Sequence, residues 1–341
     1  MRFGLMMPFQ NPPRWARPYP ALYREFIEQT VLAEELGYDT IWLTEHHFDV
    51  DGWSPSLLPL AAGIATRTNR IRIGTFILIL PFQHALRVAE DAATVDILSH
   101  GRFDLGVGKG YRLNEFKSFG VPREQRDALL EEGLEVIRRA WTEESFSFDG
   151  TFYHLQDVRL SPTPVQQPHP PLWIGARGKK SVERAARLGC HLMGTGEFEL
   201  QRFYDRALEQ HGRNPQDFSL TQLRWLYVAE TRDQAWDEVG PHLSYIFETA
   251  LPLLKEAGDL PKDRAMRDTP AVSDLRKVDP ATPGGFPIIG TAEDCIRAIE
   301  TYRRETRVTD LALGMHLPGL APEKIRKSMT IFAREVMPHF K

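Results

Sequence analysis

Short apolar runs alternate with longer amphipathic stretches along almost the whole chain. Arg2–Met7 reads as a strand, and Ala21–Leu36 follows with helical periodicity that stops at Gly37. Asp39–Thr44, Ile71–Leu80 and Arg102–Val107 are the next apolar runs, separated by helical patterns over Pro55–Thr68 and Gln83–Ser99. Glu124–Thr142 is helical. After it, Phe146–Phe148, Asp149-Gly150 and Thr151–Leu155 read as a hairpin inserted into the alternation. Leu172–Ile174, His191–Met193, Ser219–Glu230 and Asp310–Met315 then resume the strand series. Lys179–Leu188, Glu197–His211, Arg232–Leu251, Thr291–Glu305 and Pro322–Val336 supply the helices.

The strands begin near residues 2, 39, 71, 102, 172, 191, 219 and 309. Eight βα units are the number that closes a (β/α)8 TIM barrel, whose active sites lie at the C-terminal ends of the strands. The expected fold is therefore one α/β domain over residues 1–341, a barrel with an insertion hairpin. One stretch breaks the pattern: Pro252–Pro287 holds six prolines, three glycines and twelve charged residues with little periodicity. Its place before the helix at Thr291, on the catalytic side of the barrel, predicts a mobile active-site lid rather than a plain surface insertion.

Composition narrows the function classes. Lys plus Arg number 42 and Asp plus Glu 46, for a net charge of −4. A chain so balanced has no global electrostatic reason to bind nucleic acid or an anionic membrane, so an anionic ligand must be held by a few local cations. The longest apolar run, Ile73–Phe82, falls well short of the ~20 residues that span a bilayer. Cys190 and Cys295 are the only cysteines, too few for a disulfide framework or a thiolate metal cluster. A soluble cytoplasmic protein is expected.

Two motifs fail on inspection. Gly106-Val107-Gly108-Lys109-Gly110 follows a strand, but Tyr111 stands where a dinucleotide fingerprint needs its third glycine, and no helix start is evident there. Gly178-Lys179-Lys180-Ser181 resembles the end of a P-loop, but Trp173 occupies the position of the required first glycine. Glu45-His46-His47 is neither a zinc-protease helix motif nor the His-x-His pair of barrel metallohydrolases. What survives is Gly175–Ser181 between a strand and a helix. There the helix N–H groups, Ser181 and a cation could cradle a phosphate, or the segment is an ordinary basic loop. Gly108 and Gly110 leave room for a flat ligand, or form a tight turn only. His46, just past the second strand, sits where barrel enzymes place catalytic groups, or is a structural histidine.

Together these residues resemble the bacterial luciferase-like flavin-dependent monooxygenases. The resemblance is carried by Thr44-Glu45-His46-His47-Phe48, by Leu80-Pro81 with His84 and Arg87, and by Ser99-His100-Gly101-Arg102-Phe103. Pro171-Leu172-Trp173-Ile174-Gly175-Ala176 and Val336-Met337-Pro338 add to it. It implies a (β/α)8 barrel that takes FMN as FMNH2 and reacts it with dioxygen, the resulting flavin peroxide oxygenating a small organic substrate. It also implies a separate NAD(P)H:flavin reductase. By position His46 corresponds to the family's acid/base histidine, and Lys109 to an arginine on the flavin phosphate. Arg177, Gly178 and Ser181 fall in the family's phosphate loop. Phe76 and Ile77 match the pair joined in relatives by a non-proline cis peptide under the isoalloxazine ring. Gly108 takes the place of a reactive cysteine, and Arg177 replaces an acidic residue. Tyr111, Arg264, Arg267, Arg276 and Lys277 are candidates for the lid or mouth. The family's dimer face suggests a homodimer through small residues of the second and third helices, Ala61, Ala62, Ala65, Ala85, Ala89, Ala92 and Ala93, unless these pack on the barrel's own sheet. A deazaflavin-dependent hydride-transfer enzyme on the same barrel, a non-catalytic flavin-binding protein and a metal-dependent hydrolase are the rival readings.

Overall fold

The computed structural model describes residues 1–194, 198–256, 271–282 and 287–341. Its strands in chain order are β1 (Arg2–Met7), β2 (Thr40–Leu43), β3 (Arg72–Thr75), β4 (Leu78–Ile79), β5 (Phe103–Gly108) and β6 (Phe146–Asp149). They continue with β7 (His154–Val158), β8 (Leu172–Ala176), β9 (His191–Gly194), β10 (Leu220–Val228), β11 (Ile288–Gly290) and β12 (Asp310–Gly314). The helices begin with α1 (Tyr19–Leu36), α2 (Leu57–Ala65), α3 (Ala85–Leu98), α4 (Leu113–Phe119), α5 (Arg126–Thr142) and α6 (Lys179–Leu188). After them come α7 (Phe198–Gln210), α8 (Arg232–Glu256), α9 (Val272–Leu275), α10 (Ala292–Glu305) and α11 (Pro322–Ile331).

Eight of the strands close a parallel barrel in the order β1-β2-β3-β5-β8-β9-β10-β12, with β12 returning to β1. Leu220 pairs with Leu192 across one late seam, and Arg2 pairs with Asp310 at the closure. These are the eight expected runs. Strands covered on both faces need apolar residues at nearly every position, which is why short unbroken apolar runs marked them. The run at 71–80 is not one strand: it breaks at Phe76–Ile77, whose peptide bond is cis, and resumes as β4, which pairs with β5. The expected hairpin is the antiparallel pair β6–β7. β11 is an added strand on β10 that the pattern did not predict.

The barrel is filled from its floor upward. Arg2 pairs with Asp310 at 2.7 Å and Arg72 with Asp104 at 2.6 Å, and Trp173 Nε1 donates to Asp104 Oδ1 at 3.2 Å. Above this charged floor the indoles of Trp42 and Trp173 meet edge to face at 5.4 Å, with Met6, Met193 and Ala312 around them. Two indoles fit inside only because Gly4 and Gly74 have no side chains there. A Cβ on either would run into Trp42. Gly106 is tighter still, since its Cβ would strike the main-chain oxygen of Thr75, which cannot swing away. Gly106→Ala is therefore expected to lower the unfolding free energy by about 3 kcal/mol or more, as overpacking against backbone does. A urea midpoint within experimental error of the parent would refute this.

The small residues of α2 and α3 belong to the protomer's own core. Ala61, Ala65, Ala85, Ala89, Ala92 and Ala93 are all buried against the barrel, and only Ala62 is partly exposed. They let the helices sit close to the sheet, and so carry no argument for a dimer. Half of the expected lid at 252–287, Arg264 and Arg267 included, lies outside the described residues. Its described parts are regular: Pro252 and the residues to Glu256 end α8, and Val272–Leu275 form α9. Arg276 pairs with Asp233 and Asp237 of α8 at 2.6 and 2.9 Å, and Lys277 with Asp274 at 3.0 Å, so both cations are taken. Among the described residues no helix is long and apolar enough to cross a membrane.

Candidate active site

The loop leaving β2 carries Thr44-Glu45-His46-His47 to the C-terminal mouth of the barrel, and every polar side chain in it is tied down. Thr44 Oγ1 accepts from Trp53 Nε1 at 2.7 Å. The buried Glu45 Oε1 takes His47 Nε2 at 2.8 Å and the main-chain N–H of Ile79 at 3.3 Å, fastening this loop to β4. Burial pushes the Glu45 carboxyl above its ordinary range, and the contact with His47 only partly offsets it. The loop is thus rigid where it presents His46.

His46 stands edge-on to Trp53 at 4.8 Å and to Tyr111 at 5.5 Å. Its Nδ1 lies 3.0 Å from Glu115 Oε1, and its Nε2 lies 3.3 Å from the Tyr111 hydroxyl. Glu115 Oε1 also accepts the His47 main-chain N–H at 2.8 Å, so it acts as an acceptor toward both groups. The imidazole proton is then on Nδ1, which leaves a lone pair on Nε2. Burial holds the His46 imidazole down at about 4. The hydrogen bond to Glu115 opposes this, and the nearby Arg112 charge adds to it. At neutral pH the ring is uncharged and able to accept a proton.

Arg112 in turn is held by Asp49 and lies over the Trp53 ring at 5.7 Å. The neighbouring Asp51 accepts from Gln10 Nε2 at 2.7 Å. Burial, then the Asp49 charge, raise its carboxyl to about 7.

Phe76 and Ile77 roof the barrel interior. The Phe76 ring meets Trp42 edge-on at 6.0 Å. The Ile77 side chain crosses two strand ends at glycines: a Cβ on Gly108 would collide with it, and one on Gly175 would come within 3.0 Å. On the far side, Arg177, Gly178 and Ser181 lead into α6. The Gly178 carbonyl takes the N–H groups of Ser181 and Val182, which leaves those of Lys179 and Lys180 without a carbonyl partner among the described residues, and Gly178 as N-cap offers no side chain to take them. Arg177 is exposed and packs its guanidinium over the Tyr111 ring at 4.7 Å. Tyr111 therefore touches His46 with its hydroxyl and Arg177 with its ring, joining two strand ends into one site.

Lys109 does not join them as a free cation. Its Nζ lies 3.0 and 3.1 Å from the two oxygens of Asp127 on α5, a carboxylate that Arg184 of α6 also engages. Burial alone would raise Asp127, but the hydrogen bond and charge of Lys109, with those of Arg184, hold it below the usual carboxylate range. Tyr111 thus touches both His46 and Arg177, Gly178 and Ser181 follow Arg177 into α6, Phe76 packs on Trp42 and Ile77 on Gly108 and Gly175, and Lys109 is turned to an internal ion pair. Sequence reasoning missed Glu115 because it missed α4. That helix has only seven residues and no capping side chain at Arg112. The available signal was Leu113 and Phe116 one turn apart, with Gly120 as the left-handed stop at φ 67°.

The sequence profile of the luciferase-like monooxygenases matches residues 1–310. The chain belongs to that family. It is 30% identical over 223 residues to the oxygenase component of flavin-dependent trigonelline monooxygenase from Acinetobacter baylyi, covering 63% of this chain and 61% of that protein. It is 34% identical over 192 residues to F420-dependent glucose-6-phosphate dehydrogenase from Amycolatopsis mediterranei, covering 54% and 57%. These alignments span less than two thirds of either relative. The crystal structure of monooxygenase RslO1 from Streptomyces bottropensis superimposes with a TM-score of 0.86 at 26% identity over the full length of both chains.

Both cysteines of this member of the luciferase-like family are buried. Gly108 ends β5 beside Ile77, and Cys190 is buried near Tyr204, burial pushing its thiol up to about 11. Cys295 is buried inside α10 and its thiol is raised for the same reason. Both behave as small apolar side chains.

Proposed function

We propose that the chain is an FMNH2-dependent monooxygenase that uses dioxygen to oxygenate a small organic substrate. A separate NAD(P)H:flavin reductase would supply the reduced flavin, and a homodimer would be the assembled form. The observation that carries the reading is Tyr111, which joins an uncharged, proton-accepting His46 to an Arg177 that no carboxylate engages among the described residues. A flat anionic cofactor fits this frame. Ile77 over Gly108 and Gly175 gives a surface without projecting side chains, and the open N-terminus of α6 favours a phosphate.

In this reading Arg177, Ser181 and the first N–H groups of α6 after Gly178 hold the phosphate. Phe76 and Ile77 support the ring, and His46 manages a proton at Nε2. Bound reduced FMN would supply two electrons to dioxygen, one oxygen atom entering the substrate and the other leaving as water. Buried apolar groups under the mouth, Trp42 and Met6 among them, keep water from reaching the ring from below.

Because Asp127 already neutralises Lys109, the two cations are expected to differ. Arg177→Ala should weaken FMN binding about tenfold or more, in line with the loss of a charge-assisted hydrogen bond. Lys109→Ala should have a clearly smaller effect, both read by fluorescence titration. Equal losses would show that Lys109 leaves Asp127 to meet the phosphate.

The function itself is tested with the purified chain, FMN, a flavin reductase and NADH, by screening candidate substrates for an oxygen atom derived from labelled dioxygen. The F420-dependent relative supports one rival, hydride transfer from a reduced deazaflavin without dioxygen. Titration with FMNH2 and with reduced F420 separates them, and tight binding of the deazaflavin alone would overturn the FMN reading.

A further inference from the structure

The side chain of His46 is 12% exposed, and both ring nitrogens already face protein partners. Its lone pair on Nε2 points to the Tyr111 hydroxyl, whereas Tyr111 itself is half-buried and reaches the mouth. Behind His46, Glu115 is fully buried with Oε1 on the imidazole. Its Oε2 has no hydrogen-bond partner among the described residues. The three groups form a line from the interior outward, with Glu115 on α4, His46 on the loop after β2 and Tyr111 on the loop after β5.

We propose that Glu115, His46 and Tyr111 form a proton relay in which Tyr111 is the catalytic group that meets the bound ligand, His46 the acceptor behind it and Glu115 the positioning residue. The proposal rests on the reading of this mouth as the oxygenase site. The step balances without an oxidant or reductant. A proton leaves an O–H, N–H or activated C–H of the ligand for Tyr111 Oη, whose own proton passes to His46 Nε2. The ligand keeps the electron pair, Tyr111 ends as a neutral phenol, and His46 becomes an imidazolium whose Nδ1–H stays on Glu115 Oε1. The reverse sequence returns the proton.

Geometry explains each assignment. Glu115 Oε1 accepts from both His46 and the His47 main chain, which fixes the ring's orientation and keeps the proton on Nδ1. Without that acceptor the imidazole could protonate at Nε2 and lose its lone pair toward Tyr111. The groups that face His46 are Glu115 from α4, Tyr111 and Arg112 from the β5–α4 loop, and Asp49 and Trp53 from its own loop. Of these, only Glu115 and Tyr111 bond to the ring nitrogens.

The test uses the full chain labelled with 15N-histidine, with the His46 resonances assigned by their absence in His46→Gln. The parent is expected to show the Nδ1–H form at pH 7, and Glu115→Ala to move the proton toward Nε2. Tyr111→Phe should keep the Nδ1–H form but shift the Nε2 resonance toward that of a lone pair without a donor. An unchanged tautomer in Glu115→Ala, or an unmoved Nε2 resonance in Tyr111→Phe, would overturn the relay. In turnover, Tyr111→Phe should lose about a hundredfold in product with flavin affinity within about twofold, as expected for loss of an acid–base group. The double variant Tyr111→Phe/His46→Ala should fall no more than about threefold below either single, because groups acting in series are not additive. Additive losses would place the two residues on separate paths. Equal melting temperatures of Tyr111→Phe and parent exclude a folding defect. Failure of the oxygenase reading would appear differently, as no oxygen from dioxygen in any product while the spectral changes persist.

Discussion

His46→Ala is expected to leave FMN affinity within about threefold of the parent while lowering substrate oxygenation by about a hundredfold, the usual contribution of a positioned acid–base group. The separation follows from the layout of the mouth. The groups proposed to hold the phosphate sit on α6 and at Arg177, whereas His46 hangs from the loop after β2 and reaches Arg177 only through Tyr111. Removing the imidazole leaves the proposed phosphate contacts in place. It does strip one donor from the buried Glu115, so a stability loss of about 1–3 kcal/mol should accompany the change. Single-turnover product formation at saturating reduced flavin, with a thermal melt of the same preparation, separates the two effects. Wild-type turnover in a folded variant would remove His46 from the chemistry.

Acidification should unfold this protein earlier than its balanced charge suggests. Three histidines in the barrel, His46, His191 and the fully buried His316, are neutral in the fold. Burial is the largest cause in each, holding His46 and His191 at about 4 and His316 at about 3. The charges of Arg2 and Arg72 add to the effect at His191, and a hydrogen bond with the Met6 main chain opposes it at His316. The unfolded chain takes up these protons near pH 6.5 and the native chain does not, so stability falls as pH drops from about 6.5 toward 4. Asp51 works in the opposite sense. Its native carboxyl protonates at about 7, before its unfolded counterpart, and so favours the fold across the same window. His242, also lowered by burial, joins the three rings, while Glu45 and Asp310, whose carboxyls burial raises, join Asp51 against them; each proton taken up only by the unfolded chain costs about 1.4 kcal/mol per pH unit. Urea midpoints between pH 7 and 4.5 should decline, and His316→Phe should flatten the slope by about one proton. A flat profile through that range would show that the three rings are not held neutral by burial.

Much of the frame was legible because strand and helix periods are local. A strand covered on both faces must be apolar at successive positions, and a helix on the barrel's outside must repeat every three to four residues. Such constraints leave their mark within ten or so residues, so the barrel strands and the β6–β7 hairpin could be placed. The errors fell where locality fails. α4 is too short for a period to show. The alanines of α2 and α3 look the same in sequence whether they face a partner or their own sheet, and only barrel closure buries them. That Lys109 meets Asp127 of α5 is likewise not visible in the sequence around it. The π and 3-10 turns that carry the chain from Phe332 to His339 likewise left no signal that would separate them from the end of α11.

By itself the sequence determined the alternation of βα units, hence the number of barrel strands, and it placed His46 and Arg177 just beyond strand ends. The tertiary structure decided what those residues meet. Glu115 and Tyr111 lie 69 and 65 positions from His46 along the chain, and no periodic pattern links positions so far apart. Closure of the barrel brings the loops after β2, β5 and β8 over one opening. That single geometric fact makes a buried carboxyl, an uncharged imidazole, a phenol and a guanidinium into neighbours, because a hydrogen bond depends on distances of about 3 Å and not on spacing in sequence.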